Sequence, residues 1–200
     1  MSIRSAVLAA ALAPLMASSA SAQLLSSPLS FTVSAGTAIP IGDTSDALNT
    51  GYSIGGAADL RLPLIPIGAR LEGTYASFGA KGLSSTNISA RGTDLGANLN
   101  AVLWIPTAIP SQLRPYVTTA VPLPHRPYLT AGPSYSHLEL RASQGANSFS
   151  TTQNHWGFNA GGGMDVWLGL VTLRVDARYK RISTDNDTFQ SVPVTLGIKF

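Results

Sequence analysis

From residue 29 onward, apolar and polar side chains alternate along the chain in short blocks. Between residues 171 and 181, Val171, Leu173, Val175, Ala177 and Tyr179 hold one parity, while Thr172, Arg174, Asp176, Arg178 and Lys180 hold the other. Period two is the mark of a β-strand, because successive side chains leave opposite faces. The same alternation sets Phe31, Val33 and Ala35 against Thr32 and Ser34, and Ile54, Ala58 and Leu60 against Asp59 and Arg61. It sets Ala69 and Leu71 against Arg70 and Glu72, and Leu95 and Leu99 against Asp94 and Asn98. It continues with Leu129 and Tyr135 against Thr130 and Ser134, Met164 and Val166 against Asp165, and Leu196 and Ile198 against Thr195 and Lys199. The pattern predicts eight strands.

The connections alternate in length. Residues 63–66 (PLIP) and 169–170 (GL) are tight. The segments PIGDTSDALNT, AKGLSSTN, ASQGANSFSTTQ and STDNDT are longer and rich in Ser, Asn, Asp and Gly, as solvated loops are. One rim of short turns and one of loops is the signature of an up-and-down barrel. The exception is a Pro-rich stretch, residues 106–125, placed where a tight turn belongs. It contains RPYVTTA, echoed just afterwards by RPYLTAG. The second copy reads as strand five and the first as part of an inserted turn, with the reverse assignment left open.

Composition decides which side the apolar parity faces. Charged residues are only 12% of the chain, well below the roughly 25% of soluble proteins, yet no apolar run approaches a membrane-spanning helix. The chain is apolar overall without being apolar in blocks. Aromatic residues also collect near strand ends: Tyr52, Tyr75, Phe78, Tyr135, Trp156, Phe158 and Tyr179 toward the loops, and Phe31, Trp104, Tyr128, Trp167 and Phe200 toward the turns. Two aromatic belts flanking an apolar band predict that the apolar parity meets lipid and the polar parity lines a lumen. The expected fold is therefore all-β: an eight-stranded antiparallel transmembrane barrel over residues 23–200.

Residues 1–22 read as a cleavable signal peptide: a cationic start at Arg4, an apolar stretch, then Ala20-Ser21-Ala22 before Gln23. Its removal lowers the formal charge from +3 to +2, too small an excess to argue for nucleic acid. Cysteine is absent, which removes disulfides and thiolate chemistry.

GTAIPIGD, GYSIGGAADLRLPL, ARLEGTY, RPYLTAG, GFNAGGGMDVWL, LRVDARYKR and the terminal Phe200 together resemble the outer-membrane β-barrel domain family, the small OmpA-, OmpX- and Opa-type barrels. The resemblance covers the whole mature chain and implies residence in the cell outer membrane. It also implies contact with outer-membrane lipids and lipopolysaccharide, and recognition of the last strand, through Phe200, by the outer-membrane assembly machinery. The insertion at 106–125 departs from the family pattern. So does Pro133, where a lost ladder donor leads us to expect a bulge.

An eight-stranded lumen is just wide enough for side chains to fill it. The inward charges are Asp59, Arg61, Arg70, Glu72, Asp94, Asp165, Arg174, Asp176, Arg178, Lys180 and Lys199. Both signs are interleaved, as an enclosed set requires, so they read as a paired plug. Two other readings stand beside it: a narrow porin-like channel, and a small enzyme acting on lipid acyl chains. The enzyme needs a nucleophile, a base and an orienting carboxylate. The histidines are His125, His137 and His155, none in a His-x-Ser context, and His137, Glu139 and His155 could meet only at the loop rim. No cofactor, metal or catalytic residue is assigned, and the protein is expected to be a non-enzymatic monomer with a structural or envelope-interaction role. AGGGMD lacks the residues of a phosphate loop and is read as space for bulky neighbours. Finally, a two-residue turn with Gly169 at its first central position pairs residues 168 and 171, which sets Asp165 opposite Arg174 inside the lumen.

Overall fold

The computed structural model describes residues 28–62, 64–81, 88–106, 125–144, 147–184 and 188–200. Eight strands close into an antiparallel barrel in chain order: β1 (Leu29–Pro40), β2 (Gly51–Arg61), β3 (Ile67–Gly79), β4 (Ile88–Trp104), β5 (His125–Gln144), β6 (Asn147–Trp167), β7 (Thr172–Ser183) and β8 (Thr188–Lys199). β1 pairs with β8, so no strand edge is left within the closed wall. The signal-peptide reading of residues 1–22 and most of the Pro-rich insertion lie outside the described residues. The second repeat copy, RPYLTAG, lies on β5.

The alternation orients the strands as the sequence indicates. Leu71, Leu95, Leu99, Leu129 and Leu196 are exposed on the outside, while Asp59, Arg70, Asp94, Asp165 and Arg174 are buried inside. This inverts a soluble barrel, as it must when the outer solvent is hydrocarbon.

The β6–β7 turn runs Leu168-Gly169-Leu170-Val171. Leu168 donates its N–H to the Val171 carbonyl at 2.9 Å, and Gly169 has φ +95°, a conformation that favours glycine. The resulting register sets Trp167 against Thr172, Val166 against Leu173 and Asp165 against Arg174.

Three expectations are corrected. The segment expected as a loop at residues 142–153 is largely strand: β5 and β6 are 20 and 21 residues long and run through it as a ribbon, to Gln144 and from Asn147. Strands of about 9–11 residues suffice to cross a bilayer, so both extend well past that length, and β4 accompanies β5 up to the Ile88–Gln144 pair. Second, Pro133 makes no bulge. Pairing with β4 lapses at Leu99 and Asn100, opposite Pro133 and Gly132, but resumes with the same register on both sides. The lost donor costs two rungs and shifts nothing.

Third, Phe78, Trp104 and Tyr128 do not belong to the aromatic belts. All three are buried, at 2%, 4% and 1% exposure, on the inward parity of their strands. The outer belts hold Tyr52, Tyr135, Trp156 and Phe158 toward the loops and Phe31 and Phe200 toward the turns; Trp167 shares the inward parity of Asp165, is exposed at the turn mouth, and leaves the belt as well. Tyr135 and Trp156 pack edge to face at 5.1 Å.

Candidate functional site: the lumen and its two mouths

The inward charges form one chain of alternating sign. Lys199 Nζ lies 3.0 Å from Asp165 Oδ2, and Arg174 grips the same carboxylate with both arms of its fork, at 2.7 and 3.0 Å. Arg174 Nη1 reaches Asp59 Oδ2 at 2.7 Å, and Arg70 Nε reaches Asp59 Oδ1 at 2.6 Å. Arg70 Nη1 continues to Asp176 at 3.2 Å; Arg178 Nε bonds Asp176 at 2.5 Å and closes a two-armed pair with Glu72. Lys199, Arg174, Arg70 and Arg178 thus alternate with Asp165, Asp59, Asp176 and Glu72. A separate pair, Lys180 and Asp94 at 2.6 Å, sits nearer the loop rim. Most of these groups are 6% exposed or less. Arg61 departs from the set: among the described residues it forms no ion pair, and it lies over the Trp104 ring at 4.5 Å.

Tyr128 is the central residue that the belt assignment overlooked. Its hydroxyl donates to Asp176, and Arg70 and Arg174 lie over its ring at 4.7 and 5.0 Å. One aromatic ring therefore touches three members of the charge chain. Its parity, opposite Leu129, was the signal that could have found it. The glycine run makes room for this arrangement. A Cβ on Gly161 would strike Arg178, and one on Gly163 would strike the Tyr128 ring and hydroxyl.

At the loop rim the polar lumen ends beneath an apolar cap. Ala38, Ala76 and Phe78 form a buried cluster with Leu48 and Phe189 packed against it. A short helix, α1 (Thr44–Ala47), is held to β8 through Thr44 Oγ1, which accepts the Gln190 N–H at 2.9 Å. Below the cap lies a cavity of about 30 Å³, lined by Ser53, Glu72, Asp94, Asn98, Asn159 and Lys180 among others. That is room for about one water molecule. Above the cap, a cleft of about 210 Å³ opens between Leu48, Phe78 and Phe189 on one side and Leu138 and Leu140 of the ribbon on the other.

The His137, Glu139 and His155 grouping does not form. His155 is in register with Ser136, on the inward parity, and His137 is in register with Asn154, on the outward parity. The two rings therefore leave opposite faces of the ribbon. His137 Nδ1 bonds Asn154 Oδ1 at 2.6 Å, His155 Nε2 bonds Gln153 Oε1 at 3.1 Å, and Glu139 accepts from Arg141 at 2.6 Å. This exposed pair raises the pKa of Arg141, chiefly through the Glu139 hydrogen bond. Among the described residues no group of three or more His, Cys, Asp or Glu could hold a metal ion.

The outer membrane protein beta-barrel domain matches residues 8–200. The chain belongs to that family. Its fold is similar to Neisserial surface protein A, with TM-score 0.57, 18% identity, and coverage of 86% of this chain and 96% of the other. A major outer membrane protein from Thermus thermophilus matches with TM-score 0.54, 15% identity, and coverage of 86% and 98%. Ail, the attachment invasion locus protein of Yersinia pestis, matches with TM-score 0.50, 12% identity, and coverage of 86% and 97%. No curated protein matches. The family and the inverted barrel place the chain in the outer membrane, with strands as its spanning elements.

Proposed function

We propose that this protein is a closed, non-enzymatic outer-membrane barrel, plugged by its charge chain, whose β5–β6 ribbon is the part that meets envelope or external partners. The observation that carries this reading is the alternating run from Lys199 to Glu72, each ion neutralised by its neighbour across the lumen. A hydrated ion would have to separate those pairs to pass. The residues above the outer belt are polar toward the surroundings and form no nucleophile–base pair among the described residues, which favours a surface role over acyl chemistry.

In this reading residues 1–22 direct export and are removed, and both termini of the mature chain face the periplasm. The long connections around residues 43–49, 81–87, 144–152 and 184–187 face outward. Lipopolysaccharide surrounds the outer belt, Phe200 serves assembly, and the barrel works as a monomer without nucleic acid, metal or cofactor. Planar-bilayer recordings of refolded protein, run beside a lipopolysaccharide acyl-release assay, test this. Silence in both is the expected result. Steady unitary currents would replace the plug with a channel, and acyl release would replace the structural role with an enzyme.

A further inference from the structure

Two lumen-side cations are left over at the tight-turn mouth. Arg61, at the end of β2, is half-buried against Trp104 and forms no ion pair among the described residues. Arg126 is in register with Asp165, but both Asp165 oxygens are already taken, by Arg174 and by Lys199. Arg126 is near enough for its charge to act on Arg61, as are Asp165 and Asp59, although neither carboxylate forms an ion pair with Arg61 among the described residues. The third group is the indole N–H of Trp104, buried and without an acceptor although the residue is only 4% exposed. Two guanidiniums and an indole offer donors and no acceptor.

The adjoining segments carry no carboxylate side chain. Residues 23–28, 62–66, 107–124 and 168–171, which lead into or connect strands at this rim, contain no Asp or Glu, and residues 107–124 add Arg114. An acceptor from outside the chain would complete the set. The turn tips at this rim are apolar and fully exposed, with Leu64 at 104% and Leu170 at 102%, as suits tips lying against a lipid leaflet. On the membrane-barrel reading, a headgroup layer would lie near Arg61 and Arg126.

We propose that Arg61, Arg126 and the Trp104 indole N–H form an anion site at the tight-turn mouth, and that its ligand is a phosphate group. Phosphate supplies several acceptor oxygens to two planar forks, and its charge neutralises the excess that the lumen carboxylates leave. The group comes either from a phospholipid headgroup of the adjacent leaflet or from a free phosphate in the periplasm. This site rests on the membrane-barrel reading but not on the plug being closed.

Trp104 itself reports the binding. With Trp156→Phe and Trp167→Phe it becomes the sole tryptophan. The chain is refolded in octyl glucoside, and folding is checked by heat-dependent electrophoretic mobility. One arm titrates sodium phosphate against chloride at constant ionic strength. The other dopes phosphate-free micelles with phosphatidylglycerol, against a diacylglycerol control. A saturable change in Trp104 emission is expected, weakened at least about tenfold in Arg126→Gln, which is exposed and tolerant, and likewise in Arg61→Gln. A response to phosphatidylglycerol alone assigns the site to lipid, and a response to phosphate alone assigns it to a soluble anion. No response in either arm, or a response in both variants equal to that of the parent, overturns the site while leaving the barrel intact. Failure to form a heat-modifiable barrel overturns the membrane reading and the site together.

Discussion

The lower and upper halves of the β5–β6 hairpin run along the same two strands and present opposite chemistry. Within the barrel, Leu129, Tyr135, Phe158 and Trp156 point outward, and Thr130, Ser134 and Asn159 point inward. One step above Tyr135 and Trp156, the outward parity becomes His137 with Asn154, then Glu139 with Thr152, then Arg141 with Ser150. The inward parity becomes Leu138 and Leu140, with Phe149 on β6. The apolar face changes sides without any change of register. Neither face of a strand is intrinsically inner: the apolar parity meets lipid lower down and lines the open cleft over the capped mouth higher up.

The largest test of this comparison sets a buried ion pair against an exposed one. Glu72→Ala, which leaves Arg178 with only the Asp176 carboxylate it shares with Arg70, should destabilise the barrel by about 3 kcal/mol in a urea titration in micelles. Glu139→Ala, on the outer face of the ribbon, should leave the midpoint unchanged. Equal midpoint shifts would mean that the lumen is as wet as the outside.

Next comes an arginine placed on each apolar surface. Leu71→Arg faces hydrocarbon and should cost about 2–4 kcal/mol of folding into bilayers. Leu140→Arg faces the cleft above the cap and should stay within about 0.5 kcal/mol, as surface substitutions do. Reversal of that order would put the ribbon in the membrane.

The smallest perturbation uses the absence of native cysteine. Arg141→Cys should react with a membrane-impermeant maleimide on intact cells, and Tyr135→Cys, lower on the same face, should be protected. Labelling at both positions would move the membrane boundary below the aromatic pair. Labelling at neither would place the ribbon in the periplasm and invert the topology.

How much of this was legible in the sequence depends on whether parity was trusted. Parity alone assigns Asp165 to Arg174, orients every lumen charge, and puts Phe78, Trp104 and Tyr128 inside. Assigning those three rings to belts from their nearness to strand ends set parity aside, and the structure follows parity. The ribbon was hidden for a different reason. Alternation signals a strand only while one face meets one solvent; above residue 137 the faces exchange, so ASQGANSFSTTQ has the composition of a loop. The pairing of Arg178 with Glu72, and of Arg70 with Asp176, joins residues far apart in the chain, and no local pattern announces it. The two unmatched arginines became visible only once the other lumen charges had their partners.

The seam between β1 and β8 has a kinetic consequence. Neighbouring hairpins such as β5–β6 and β6–β7 join residues close in sequence and can zip from their turns. The seam pairs Thr32 with Lys199, and Val33 with Ile198, across nearly the whole described chain. Loop-closure entropy makes such a contact slow to form unless the intervening strands have already drawn the ends together. Folding should therefore finish at this seam, with the barrel passing through an open, curved sheet whose two edge strands are the first and the last.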